Sequence, residues 1–124
     1  MTEPELERDL VDLCKVAAKA MGAYVELISQ RGGKNSGTTK GAPDCFLYVA
    51  GRCIPIEFKT RTGRLSVQQI ANKQRRWEHG IHTFIIRNLD EFVDVVNMAR
   101  RGTIHGRLPK SRPFLSDATA ARSD

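Results

Sequence analysis

The sequence predicts an α/β fold: one mixed central sheet with helices on both faces, in the order αβββαβα. Three observations predict it. Segments of helical period alternate with short runs rich in β-branched and aromatic residues. Two of those runs, Asp44–Ala50 and Cys53–Lys59, are separated only by a turn, so they read as an antiparallel hairpin. The hairpin then leads through a helix to one more strand, and a crossover of that kind pairs strands in parallel.

The first helix is predicted over Glu5–Met21, with Leu6, Leu10, Leu13, Val16 or Ala17, and Ala20 on one face. Thr2 is its candidate cap, and Gly22 stops it. Tyr24–Ile28 is a short strand. The segment RGGKNSGTTKG, Arg31–Gly41, has no apolar residue and reads as a basic loop. The hairpin follows, with Gly51-Arg52 as its turn. Pro55 cannot donate to a ladder, so its position must lack a partner or be irregular. Thr60–Leu65 is a polar turn. Ser66 caps a second helix that runs to about His79, with Val67, Ile70, Gln74 and Trp77 near one face, and Gly80 ends it. His82–Arg87 is the fourth strand. Leu89–Arg100 is the third helix, with Phe92, Val93, Val96 and Ala99 inward. Arg101–Asp124 is a basic tail, expected to be partly disordered or packed on a partner subunit.

With 124 residues the chain suits one domain able to bury a core. It has no apolar run long enough for a membrane span. Its first residues, MTEPELERDL, are acidic where a secretion signal is basic, so a cytoplasmic location, in a bacterium or a phage-infected host, is expected. Cys14, Cys45 and Cys53 are odd in number and lack zinc spacing, which predicts free thiols. Twenty Lys and Arg against fourteen Asp and Glu leave a net charge of +6. The cations cluster at 31–40, 59–64, 73–76 and 100–112, and that clustering favours a polyanionic partner.

The chemistry concentrates in the hairpin. Asp44 opens one strand; Glu57 and Lys59 follow thirteen and fifteen residues later on its partner. Side chains alternate along a strand, so Glu57 and Lys59 share a face while Ile56 and Phe58 point to the other. A turn at Gly51-Arg52 pairs Ala50 with Cys53 and puts Asp44 near Lys59. Twist, or a bulge near Pro55, then brings Asp44 to Glu57. Two facing carboxylates repel unless a hard divalent cation such as Mg²⁺ sits between them. The backbone carbonyl of Phe58 would be a further oxygen ligand. A cation there can activate a water and stabilise charge on a phosphodiester, with Lys59 adding positive charge.

Gly41-Ala42-Pro43-Asp44, Ile56-Glu57-Phe58-Lys59 and Ser66-Val67-Gln68-Gln69, in that order and after Glu7, resemble the PD-(D/E)xK nuclease superfamily. More narrowly they are similar to the virus-type replication-repair nuclease (VRR-NUC) domain, over about Glu7 to Val96. The resemblance implies a restriction-endonuclease-like core across residues 1–100, with 101–124 as an appended tail. It implies Asp44 and Glu57 as metal ligands and Lys59 as the catalytic lysine. Glu7 would position metal or water, with Glu5 and Glu26 as competitors for that role. Gln69 would hold the lysine, a water or a phosphate, with Gln68 and Gln74 as competitors. Mg²⁺ is the implied cofactor, with Mn²⁺ as substitute. Stand-alone members resemble homodimeric junction-resolving enzymes, so the implied substrate is branched DNA, above all a four-way junction, in replication, recombination or repair.

Arg31, Lys34, Lys40, Arg61, Arg64, Lys73 and Arg76 are the candidate DNA contacts. Trp77 reads as core rather than as a base-stacking platform, and His79 and His82 as structural or surface residues. No groove-reading motif or separate specificity domain is evident, which argues against a sequence-specific enzyme. The rival readings are a non-catalytic nucleic-acid-binding module on a nuclease fold, and a basic assembly or inhibitor protein with a chance motif. The small self-contained architecture suggests a phage or mobile-element origin.

Overall fold

The computed structural model describes residues 6–28 and 40–103. Their elements are α1 (Glu7–Ala20), β1 (Tyr24–Leu27), β2 (Cys45–Val49), β3 (Arg52–Phe58), α2 (Val67–Glu78), β4 (Phe84–Ile86) and α3 (Leu89–Arg100), in the predicted order. Most of the basic loop before Lys40, the Thr2 cap and the tail beyond Thr103 lie outside the described residues. Among the described residues, no helix is long and apolar enough to cross a membrane.

The strands form one mixed sheet in spatial order β1-β2-β3-β4. The first three are antiparallel neighbours, and β3 pairs β4 in parallel, Ile56 with Phe84 and Phe58 with Ile86. Alternation sorts the side chains. Val25, Cys45, Leu47, Val49, Ile54, Ile56, Phe58 and Ile86 face a core closed by Leu10, Cys14 and Ala18 of α1 and by Phe92, Val95, Val96 and Ala99 of α3. Burial of each large side chain there contributes roughly 1.5–3 kcal/mol. On the opposite face lie Tyr24, Glu26, Phe46, Tyr48, Cys53, Pro55 and Glu57, and α2 crosses that side of the sheet. No residue of α2 is buried. That helix is held by polar contacts instead, beginning with a capping box in which Ser66 and Gln69 exchange side-chain-to-backbone hydrogen bonds.

Three sequence expectations are corrected. The seam of α1 is Leu10, Cys14 and Ala18, while Leu13 is 38% and Val16 72% exposed. Small side chains at a four-residue spacing let the helix approach the sheet closely, and that proximity outweighs the greater apolar area of Leu13 and Val16. In α3, Val95 takes the core place expected of Val93, which is half-buried. The hairpin turn is Ala50-Gly51, not Gly51-Arg52: Val49 pairs with Arg52, and Ala50 (φ 53°) and Gly51 (φ 77°) are both left-handed, the pattern of a type I′ turn.

That shift by one residue reorganises the hairpin. Cys45 pairs with Ile56, so one further step places Asp44 across from Glu57 with no bulge. Pro55 faces Phe46. Counting from the closing pair Val49–Arg52, this is a non-hydrogen-bonded position, where proline has no ladder bond to give. Its absent N–H is directed toward β4, whose pairing begins only at Ile56. The Asp44–Glu57 position is of the same kind, and in such pairs side chains approach most closely.

Candidate active site

Asp44 leaves the turn after Pro43 just before β2 begins. Its Oδ2 accepts a hydrogen bond of 2.7 Å from the backbone N–H of Phe58, which ties the loop to the end of β3. Glu57 is fully buried, the only charged residue so placed among the described residues. Its Oε1 accepts a bond of 3.3 Å from the Gln69 amide on α2. Its Oε2 is buried and has no hydrogen-bond partner among the described residues. A buried carboxylate oxygen left bare is costly, and the cost disappears when a cation takes it.

Burial, and then the negative charge of Asp44 beside it, hold the Glu57 carboxyl well above its ordinary value, against the opposing pull of Arg76 and Lys59. Folding therefore strengthens the hold on that proton. Stability from this source is complete below the unfolded value and is lost as pH rises through the folded one. In EDTA, the melting temperature is expected to fall between about pH 5 and pH 8, by roughly 4 °C or more for each kcal/mol involved. Glu57→Gln, which has no proton to lose, should flatten that dependence in a thermal-shift series. An unchanged slope in the variant would remove Glu57 as its origin.

Lys59 follows β3 directly. Its N–H donates to the Ile86 carbonyl at 3.0 Å, and its side chain is only 13% exposed. Its Nζ stands 4.0 Å from Oε2 of Glu7, at the start of α1. Burial raises the Glu7 carboxyl, Lys59 lowers it and Asp44 raises it, which puts all three groups within electrostatic reach. The structure thus brings together Asp44, Glu57, Phe58, Lys59, Glu7 and Gln69. Of the competitors, Glu26 is engaged by the Tyr48 hydroxyl at 2.7 Å, Gln74 faces Glu78, and Gln68 is exposed. Glu5 lies outside the described residues. Among the described residues no cluster of three or more His, Cys, Asp or Glu is placed as a metal cage. The donor set is instead two carboxylates with the adjacent Phe58 carbonyl, hard oxygen ligands that suit Mg²⁺ with most of its waters retained.

The candidate DNA contacts divide. Lys40, Arg61 and Arg64 are exposed beside the site, on the loop before Asp44 and the turn after Lys59. Arg31 and Lys34 lie outside the described residues. Arg76 points inward: its Nε donates to the buried Thr83 hydroxyl at 2.6 Å, and its charge acts on Glu57. Lys73 lies on another side of α2, in a cleft with Ile70, Trp77 and His82. Both depart from a simple solvated basic face. Gln69 and Asn72 meet the site and its entry loop and Arg76 meets Thr83, whereas Lys73, one turn on from Gln69, sits at the margin of that face and lines the cleft on the other side.

Trp77 is half-buried, and His82 packs edge-on to it and to Phe84, with ring centroids 6.2 and 4.5 Å apart. Burial, aided by Lys73, lowers His82 to about 4, so it is neutral and structural, as expected. The three cysteines are free thiols, Cys14 and Cys45 buried.

Two supports of the site have no local signature in the sequence. The Nη1 of Arg87, just after β4, donates to the carbonyls of Thr60 and Gly63 at 2.7 Å each, and to that of Arg61 at 3.4 Å. It thereby folds the basic turn that follows Lys59. On α2, Asn72 donates to the Lys40 and Gln68 carbonyls and docks the loop before Asp44. That docking needs Gly41, left-handed at φ 83°, where a Cβ would overlap the Gln68 carbonyl.

No family model matches the sequence, and no curated protein does. Among solved structures, a VRR_NUC domain superimposes with a TM-score of 0.59 at 19% identity, over 73% of this chain and 94% of that one. The fold is therefore that of a VRR_NUC domain.

Proposed function

We propose that this protein is a metal-dependent endonuclease that hydrolyses phosphodiester bonds of branched DNA. The observation that carries the reading is the buried Glu57 with a bare Oε2, facing Asp44 and flanked by Lys59 at the mouth of the hairpin. A carboxyl buried there with its ionisation opposed has no structural advantage, whereas a cation site explains it. Asp44, Glu57 and the Phe58 carbonyl would hold Mg²⁺, or Mn²⁺ in its place. The bound ion would supply charge neutralisation at the phosphate and a water acidic enough to act as nucleophile.

The protein groups around it have separable tasks. Lys59, poorly solvated, keeps a fixed positive charge where negative charge develops on the phosphate, and its ammonium can orient the attacking water or give a proton to the departing oxygen. Gln69 holds one oxygen of Glu57, leaving the other directed to the cation. Glu7 holds Lys59 in place from the rim. Lys40, Arg61 and Arg64 bind flanking phosphates on either side. Contacts to phosphates rather than to base edges select by DNA shape, and cutting two strands of a four-way junction symmetrically calls for a homodimer.

The test is cleavage of end-labelled four-way junction, flap and linear duplex in Mg²⁺, in Mn²⁺ and in EDTA, with the mass of the active species measured alongside. Cutting of branched DNA that stops in EDTA supports the reading. Binding of the junction with no cutting in either metal would replace it by a non-catalytic DNA-binding module.

A further inference from the structure

The outer face of the sheet, which carries Glu57, holds more than the hydrolytic residues. Between it and α2 runs a cleft of about 480 Å³, floored by Phe46 and Pro55 and walled by Asn72, Arg75, Arg76 and His79. Arg75 and His79 are exposed. Beyond the cleft the same face continues to Tyr48 and, across the strand pair, to Tyr24. These rings are stacked, with centroids 5.8 Å apart and planes 18° from parallel, and Tyr24 is 60% exposed. The Tyr48 hydroxyl is fixed by Glu26, so the platform is rigid while one face of Tyr24 stays open.

The spacing is regular. Asp44, just before β2, and Phe46 and Tyr48 within it follow one another on this face, at about 6.7 Å per two-residue step. A row of aromatic faces beside a cationic wall, leading to a carboxylate pair, matches the requirements of a single nucleic-acid strand: rings for bases, cations for phosphates. A cleft of this volume takes a nucleotide or two and is too small for a duplex.

We propose that this face, from the cleft beneath α2 to the stacked Tyr24–Tyr48 pair, binds an unpaired strand of the branched DNA. The inference rests on the nuclease reading for its direction, because it names which part of the substrate approaches Glu57 along the sheet. The occupant is a deoxyribonucleotide strand whose phosphates meet Arg75 and His79 and whose terminal base stacks on Tyr24.

Fluorescence anisotropy in EDTA tests it without cleavage, using labelled oligothymidine and a duplex of equal length. Tyr24→Leu, which keeps apolar bulk but not the aromatic face, should weaken oligothymidine binding about tenfold, within the range for one lost stack. Duplex binding should change less than about twofold, and Tyr24→Phe should bind oligothymidine as the wild type does. Arg75→Ala should reduce the salt dependence of single-strand binding by about 0.7 in log–log slope. Wild-type oligothymidine affinity in Tyr24→Leu, or an equal loss on the duplex, would overturn the proposal. Failure of junction cleavage with Tyr24-dependent binding intact would sink the nuclease reading alone, so the two can fail separately.

Discussion

Lys59→Ala is expected to cut the rate of junction cleavage by roughly a hundred- to ten-thousandfold while leaving the protein folded. The side chain lies just beyond β3, outside the apolar core, and its one ion pair among the described residues is a 4.0 Å contact with the partly exposed Glu7. Exposed pairs contribute little to stability, so a large kinetic effect with an unchanged melting temperature separates a chemical role from a structural one. Lys59→Arg is a sharper variant. It keeps the charge, but a rigid guanidinium cannot replace a compact ammonium that gives up a proton. Single-turnover kinetics on a saturating junction would report the chemical step. A lysine serving only to attract DNA would instead raise KM, leave kcat alone and lose its effect at high salt.

Gly41→Ala is expected to have the second large effect, on both fold and rate. A methyl there meets the carbonyl oxygen of Gln68 and the Asn72 amide, and the backbone is left-handed. The conformation alone costs about 1–2 kcal/mol for a residue with a Cβ, and the overlap with backbone is not relieved by a rotamer change. The loop must therefore lift off α2, and Asp44 lies three residues further on. A displacement of about 1 Å at a reacting group can cost on the order of a hundredfold in rate. Parallel thermal melts and cleavage rates check this. A variant that melts and cuts like the wild type would show that the loop does not need its seat on α2.

What could be read from the sequence divides along physical lines. Element order and the grouping of Asp44, Glu57 and Lys59 rest on alternation and on turn residues, which act over a few positions and leave a local pattern. The sequence puts the hairpin turn one residue too late because a left-handed Ala50 is uncommon and Gly51 is the natural first turn residue by composition. The structure resolves the consequence: Asp44 meets Glu57 by register, without the bulge the shifted turn required. On α1, hydrophobicity favours Leu13 and Val16, whereas the seam selects Cys14 and Ala18 by fit. Arg87, Asn72 and Thr83 were illegible for another reason. Their partners are between 7 and 32 positions away, and no local period encodes such a contact. The inward turn of Arg76 follows from the same long-range pairing.

The absence of buried residues in α2 gives the molecule two tiers of stability. The sheet with α1 and α3 shares one apolar core and opens only on global unfolding. The α2 segment is pinned by its cap and by the Gln69–Glu57, Asn72–Lys40 and Arg76–Thr83 hydrogen bonds, so it belongs to the part of the protein that opens locally at a lower free energy. The three side-chain bonds end on the hairpin, its entry loop and the approach to β4. Amide exchange in α2 would then be faster than in the core strands and would slow when the site is filled, because a ligand that orders Glu57 and the loop at Gly41 also fastens the helix.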